Sequence, residues 1–148
     1  GAGSEGLEKM VRQYVPSGKV RLLGWVDDPY EYLQHLSVYV QPSVAEGFGL
    51  EVPEALACGR PVICSTGAGA ADLVIPQGEK ATFLLSNLTG LTVQPADVNG
   101  LVVALRVLYA HREDLPSMGR AAREVARRLT WDCIEAQYEA IFHNRLGV

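Results

Sequence analysis

An α/β fold with a mostly parallel sheet is predicted by the 148-residue sequence on three observations. Strand-like and helix-like runs alternate along the first part of the chain. RPVICSTG carries consecutive apolar or small residues, Pro61 to Cys64, as a strand buried on both faces of a parallel sheet does. The last third is helical in period.

The elements follow in order. KVRLLGWV, Lys19 to Val26, is rich in β-branched residues and leucine and reads as a first strand. DDPYEYLQHL follows, with Tyr30, Leu33 and Leu36 at helical spacing, and SVYVQPS reads as a second short strand. EVPEALACG is a brief helix: Pro53 suits its first turn, Ala55 to Ala57 continue it, and Gly59 stops it. After the third strand comes the small-residue loop GAGAAD, and then ATFLLSNLTGLTVQPAD, with further strand-like runs broken by Asn87 and Gly90. Three helical stripes close the chain: Leu101, Leu105 and Leu108; Met118, Ala122, Val125 and Leu129; Trp131, Ile134, Tyr138 and Ile141.

Composition narrows the function classes. The length suits one domain, and 48% apolar with 20% charged residues is ordinary for a globular chain. A net charge of −4 supplies no global attraction to nucleic acid or acidic lipid. Cys58, Cys64 and Cys133 lack metal or disulfide spacing and read as reduced core thiols, while His35, His111 and His143 are too scattered for a metal site, so no metal is expected. Arg120, Arg123, Arg127 and Arg128 lie opposite Met118, Ala122 and Val125 and read as a solvated helix face. No apolar run nears the ~20 residues of a membrane span, and the opening GAGSEGLEKMVRQ lacks a signal-peptide layout, so a cytoplasmic protein without a transmembrane segment is expected.

The stretch AEGFGLEVPEALACG carries the chemistry. Gly47 and Gly49 let backbone approach a ligand closely, and the helix that follows would aim free N–H groups at an anion such as phosphate. Glu46, Glu51 and Glu54 would repel bare phosphate, but a carboxylate's two oxygens accept from the two hydroxyls of a vicinal diol. A diphosphate flanked by hydroxyl-rich rings satisfies both chemistries, and that describes a nucleotide-sugar. Glu46 as a loop charge and Glu54 as a glutamate favoured by the helix dipole are the plain alternatives. Glu51 reads as a surface residue.

Glu46 and Glu54, spaced Glu-x7-Glu in EGFGLEVPE, with QPS before and ALACGRPVICSTGAG after, resemble the donor-binding C-terminal domain of retaining GT-B fold glycosyltransferases (glycosyl transferases group 1). The likeness runs through RLLGWVDD, TGLTVQPAD, MGRAAREVA and LTWDCIEAQYEAIF, nearly the whole chain in order. It implies a Rossmann-like three-layer sandwich and a nucleotide-sugar substrate with no cofactor. Glu46 would contact the donor sugar and Glu54 the ribose hydroxyls. Gly47, Phe48, Gly49 and Leu50 would face the diphosphate and sugar, Trp25 and Val26 would border the base, and Ser43 would line the cleft. Trp25 as a strand-end aromatic and Trp131 as a packing residue behind a Thr130 cap are the readings without a ligand. No residue of this half stands out as a catalytic base.

The sequence departs from the family pattern in four places. The whole of residues 1–148 matches the donor domain, with the acceptor domain and the donor domain's opening absent from it, including an arginine and a lysine that neutralise the donor diphosphate in relatives. Lys19, Arg21 and Arg60 do not replace them. Asp72 is the nearest acid where relatives carry a glutamate, and Ile75 to Asn87 is longer than the usual loop. The expected function is therefore donor binding within a retaining glycosyltransferase, inactive alone. A stand-alone nucleotide-sugar binder or an assembly module working with a separate acceptor-domain protein is the alternative, and a nucleotide-sugar epimerase is a further one. The last helix, short of cover at Trp131, Ile134, Tyr138 and Phe142, suggests a homodimer, a swapped helix or such a partner.

Overall fold

The computed structural model describes residues 4–16, 18–74, 85 and 88–146. Three strands, β1 (Tyr39–Gln41), β2 (Val62–Ser65) and β3 (Gly90–Val93), form a parallel sheet in the order β1-β2-β3. Tyr39 pairs with Val62, and Val62 with Gly90. Helix α1 spans Ser4–Tyr14, α2 Pro29–Leu33, α3 Glu51–Ala57, α4 Val98–Ala110, α5 Leu115–Ala126 and α6 Trp131–Leu146.

Side chains alternate along β2 and so divide the core into two layers. Val62 and Cys64 meet Val52, Ala55 and Leu56 of α3, together with Ala70, Ala71, Val74 and Ala122. Ile63 turns to the other face and meets Ala104 and Leu108 of α4, Val93 of β3 and Met118 of α5. Helices thus cover both faces of the sheet, which is the three-layer α/β arrangement predicted. Leu56, Ile63, Leu108 and Met118 are wholly buried; each large side chain contributes about 1.5–3 kcal/mol of burial. Burial also pushes the Cys64 thiol up to about 11, so it stays protonated and inert near neutrality.

The short helices end where local chemistry says they should. Asp28 accepts from the Tyr30 and Glu31 amides and opens α2, with Pro29 in its first position. Gly59, at φ 68°, takes the left-handed turn that stops α3. Thr130 Oγ1 accepts from the Cys133 amide at 3.4 Å and caps α6.

Three expectations need correction, and one helix is unanticipated. Lys19 to Val26 is not a strand: no ladder pairs it, and Val20, Leu22 and Leu23 stand 46%, 41% and 44% exposed. Strand propensity there finds no neighbouring strand to supply hydrogen bonds, so the segment runs unpaired. Helix α1 carried no prediction; its apolar residues Leu7, Met10 and Tyr14 lie exposed. Cys133 is an exposed helix thiol rather than a core one, since α6 turns most of its apolar residues outward. On α4 the buried residues are Ala104 and Leu108, with Leu105 at 43% exposure. The long segment Ile75 to Asn87 lies outside the described residues except for Leu85.

Candidate functional site

In a parallel sheet the loops after each strand gather at one edge, and here the segments after β1 and β2 meet there. The Glu46 amide donates to Gly67 O (3.1 Å), the Gly69 amide to Gly47 O (3.1 Å) and the Ala70 amide to Phe48 O (2.8 Å). Glu46 and Ala68 form an isolated parallel bridge. The clasp needs glycine: a Cβ at Gly69 would strike Gly47 O, and one at Gly67 would strike Val44 O. The small residues of GAGAAD therefore form the second wall of the glycine loop.

The loop is tied to the strand as well. Gly49 sits at φ 83°, where an added Cβ would come within 3.0 Å of Gln41 Nε2 and 3.2 Å of Glu46 Cγ. Gln41 is a buried polar residue at the end of β1, and its Oε1 accepts from the Tyr39 hydroxyl at 3.4 Å. From Gly49 the chain enters α3, whose first turn carries Glu51 and Glu54 and whose N-cap, Leu50, provides no side-chain cap.

The two glutamates of the motif are held differently. Glu46 Oε1 accepts from the Gly47 amide at 3.0 Å, so the carboxylate folds onto its own loop. Glu54 Oε1 accepts from the Tyr30 hydroxyl at 3.2 Å, linking α3 to α2. The charge of Glu54, foremost, and this hydrogen bond raise the Tyr30 phenol above its ordinary value. Tyr39 is pushed up to about 12, first by burial and then by the charges of Glu51, Glu54 and Glu46. Glu51 is exposed, as expected.

The other predicted residues lie around this group unevenly. Phe48 and Leu50 are 47% and 66% exposed, and Ser43 is half-buried just beyond β1. Trp25 is 90% exposed with its indole N–H on Asp27 (3.2 Å), and Val26 precedes the Asp28 cap of α2. The structure thus gathers Glu46 to Leu50 and Glu54 into one unit and leaves Trp25 exposed beside Asp27. Sequence reading missed Tyr30, Tyr39 and Gln41. In sequence Tyr30 reads as part of a helical stripe, and the Asp28-Pro29 helix start beside it is the local signal that bears on its position. Among the described residues no three His, Cys, Asp or Glu side chains converge as a metal-holding group, and no helix is long and apolar enough to cross a membrane.

Comparison with known proteins names the arrangement. The model of the family "Glycosyl transferases group 1" matches residues 1–111. The chain belongs to this family. Among curated relatives, O-antigen chain mannosyltransferase B of Escherichia coli is 30% identical over 131 residues, 85% of this chain and 30% of the relative. A D-inositol 3-phosphate glycosyltransferase of Streptomyces scabiei is 32% identical over 146 residues, 94% of this chain and 28% of the relative. The chain therefore spans less than a third of the length of these relatives. Sucrose-phosphate synthase from Thermosynechococcus elongatus superposes with a TM-score of 0.76 at 32% identity, covering 99% of this chain and 35% of that one. Anabaena Alr3699/HepE, solved with UDP, superposes with a TM-score of 0.77 at 20% identity, covering 95% of this chain and 36% of that one, and speaks to the fold alone. The fold of the chain is accordingly one found in GT-B glycosyltransferases.

Proposed function

We propose that this chain is the donor-binding domain of a retaining glycosyltransferase that moves a sugar from a nucleotide diphosphate. The observation that carries the reading is the clasped unit in which Glu46 and Glu54 flank one glycine loop, with a buried strand end beneath it. Glu54, oriented through Oε1 by Tyr30, retains Oε2 for the ribose diol. Glu46 receives the donor sugar, and the backbone from Gly47 to Leu50 faces the diphosphate. Because Glu46 holds the Gly47 amide, donor arrival exchanges that bond for one to the ligand. Trp25 and Val26 border the base and Ser43 lines the cleft. The bond that breaks is the anomeric C–O bond to the diphosphate, which leaves with its electron pair and is stabilised by preorganised dipoles. The Anabaena neighbour of the same fold is solved in complex with UDP, which supports a nucleotide as the class of ligand.

The test is saturation-transfer NMR on the chain with UDP-, GDP- and ADP-sugars, repeated on Glu54→Gln. Transfer to the ribose protons of one nucleotide that disappears in the variant is the expected result. No transfer from any donor overturns binding by this chain.

One observation favours a second reading, an assembly module working with a partner. On α6, Trp131, Tyr138, Ile141 and Phe142 are 84%, 60%, 54% and 56% exposed, a large apolar surface that a homodimer or a separate acceptor-domain protein would cover. Light scattering across a concentration series decides between self-association and a different partner. A mass that stays monomeric throughout removes the homodimer.

A further inference from the structure

At the opposite edge of the sheet, where the strands begin, lies a cleft of about 510 Å³. Ser37 leads into β1 at one wall, Arg60 and Pro61 lead into β2, and Arg112, Arg120 and Arg123 close it from the start and flank of α5. The residues after β1 and β2, which include Glu46 and Ala68, lie across the sheet from it. This is a different site from the glutamate pair.

The charge of the cleft is one-sided. Four arginines and His35 line it and no aspartate or glutamate does, on a chain whose net charge is −4. Among the described residues, no carboxylate forms an ion pair with any of the four; the arginine ion pairs found are Arg12 with Glu8 and Arg127 with Glu124. Two of the arginines have a folding role. Arg60 donates to Cys58 O (3.0 Å) and Leu36 O (2.7 Å), and Arg123 donates to Cys58 O (3.5 Å), closing the carbonyl end of α3. That role fixes both guanidiniums in place without neutralising them. Arg112 stacks over Tyr109 at 5.6 Å, and it and Arg120 are exposed. The four come from three separate segments, so their convergence is a product of packing and not a basic run on one solvated face.

We propose that this cleft binds a phosphate group, taken from a phosphorylated small molecule or from a phospholipid headgroup. Guanidinium forks match phosphate oxygens bidentately, and cations that lack counter-charges gain from an anion. The neighbouring cleft, about 570 Å³ and lined by Val38, Leu105 and Leu108, shares Ser37, Arg112 and Leu115 with the first, so a headgroup would have room for its apolar part alongside.

The experiment is a ¹H–¹⁵N NMR titration of the chain at fixed ionic strength, in one arm with inorganic phosphate and in the other with phosphatidylglycerol vesicles against phosphatidylcholine vesicles. The expected response is saturable and confined to His35–Ser37, Gly59–Arg60 and residues 112–123, with Gly47–Leu50 unmoved. Arg112→Gln with Arg120→Gln, at exposed positions that leave the closure of α3 intact, weakens binding roughly tenfold or more. Arg127→Gln with Arg128→Gln changes net charge equally and leaves affinity as it was. Saturation by phosphate identifies a soluble ligand, and binding to phosphatidylglycerol vesicles alone identifies a headgroup. Silence at the cleft in both arms overturns the proposal, and so does equal loss in the two double variants.

Discussion

The Tyr30 hydroxyl donates to Glu54 Oε1 across 3.2 Å, joining two helices 24 residues apart in the chain. Glu54 is therefore held by a partner before any ligand arrives. If Tyr30 is a positioning residue for Glu54, Tyr30→Phe weakens donor binding by about threefold to tenfold, consistent with loss of one hydrogen bond to a charged group. The same change made in Glu54→Gln has a much smaller effect. A double-mutant cycle by calorimetry reads the coupling, and additive losses would rule the role out.

Tyr39 sets an alkaline limit. In the fold its phenol is pushed up to about 12, against 10.0 for the free group, so the folded chain keeps a proton that the unfolded chain releases. The stability tied to this group is whole below pH 10 and is lost as pH rises from there toward about 12. Denaturant melts across that window should show the fall, and Tyr39→Phe should flatten it. An unchanged slope in the variant assigns the fall to other groups.

The clasp predicts a cost for Gly69→Ala. The added methyl meets Gly47 O and lies 3.2 Å from Phe48 Cα, so the two loops must part. We expect a loss of about 1–3 kcal/mol in denaturant unfolding. NMR shift changes should centre on residues 46–48 and 67–70. A variant as stable as the parent, with those signals in place, refutes the clasp.

Apolar residues that look alike in sequence should differ in energy. Leu56 is wholly buried, and Leu56→Ala is expected to cost about 2–5 kcal/mol. Trp131 is 84% exposed, and Trp131→Ala should stay within about 0.5 kcal/mol in the monomer. Thermal melts at low protein concentration compare the two. A large loss at Trp131 under those conditions would show that α6 is covered in solution.

What the sequence determined by itself were features with local causes. Pro61 to Cys64 read as part of a buried strand because apolar or small residues ran without alternation, and the observed strand, Val62 to Ser65, is buried throughout. Gly59 and Thr130 marked helix ends because left-handed turns and side-chain caps are decided within a few residues. EGFGLEVPE read as a glycine turn opening onto a short helix for the same reason, and Gly49 at φ 83° leads into α3. Tertiary structure alone decided the rest. Lys19 to Val26 had strand propensity and formed no strand, because a ladder needs a neighbour and propensity cannot supply one. Sequence spacing could not show that GAGAAD walls the glycine loop, that Tyr30 holds Glu54, or that four arginines from three segments face one cleft. Those contacts join residues far apart in the chain, and only the packing of helices on both faces of the sheet brings them within reach.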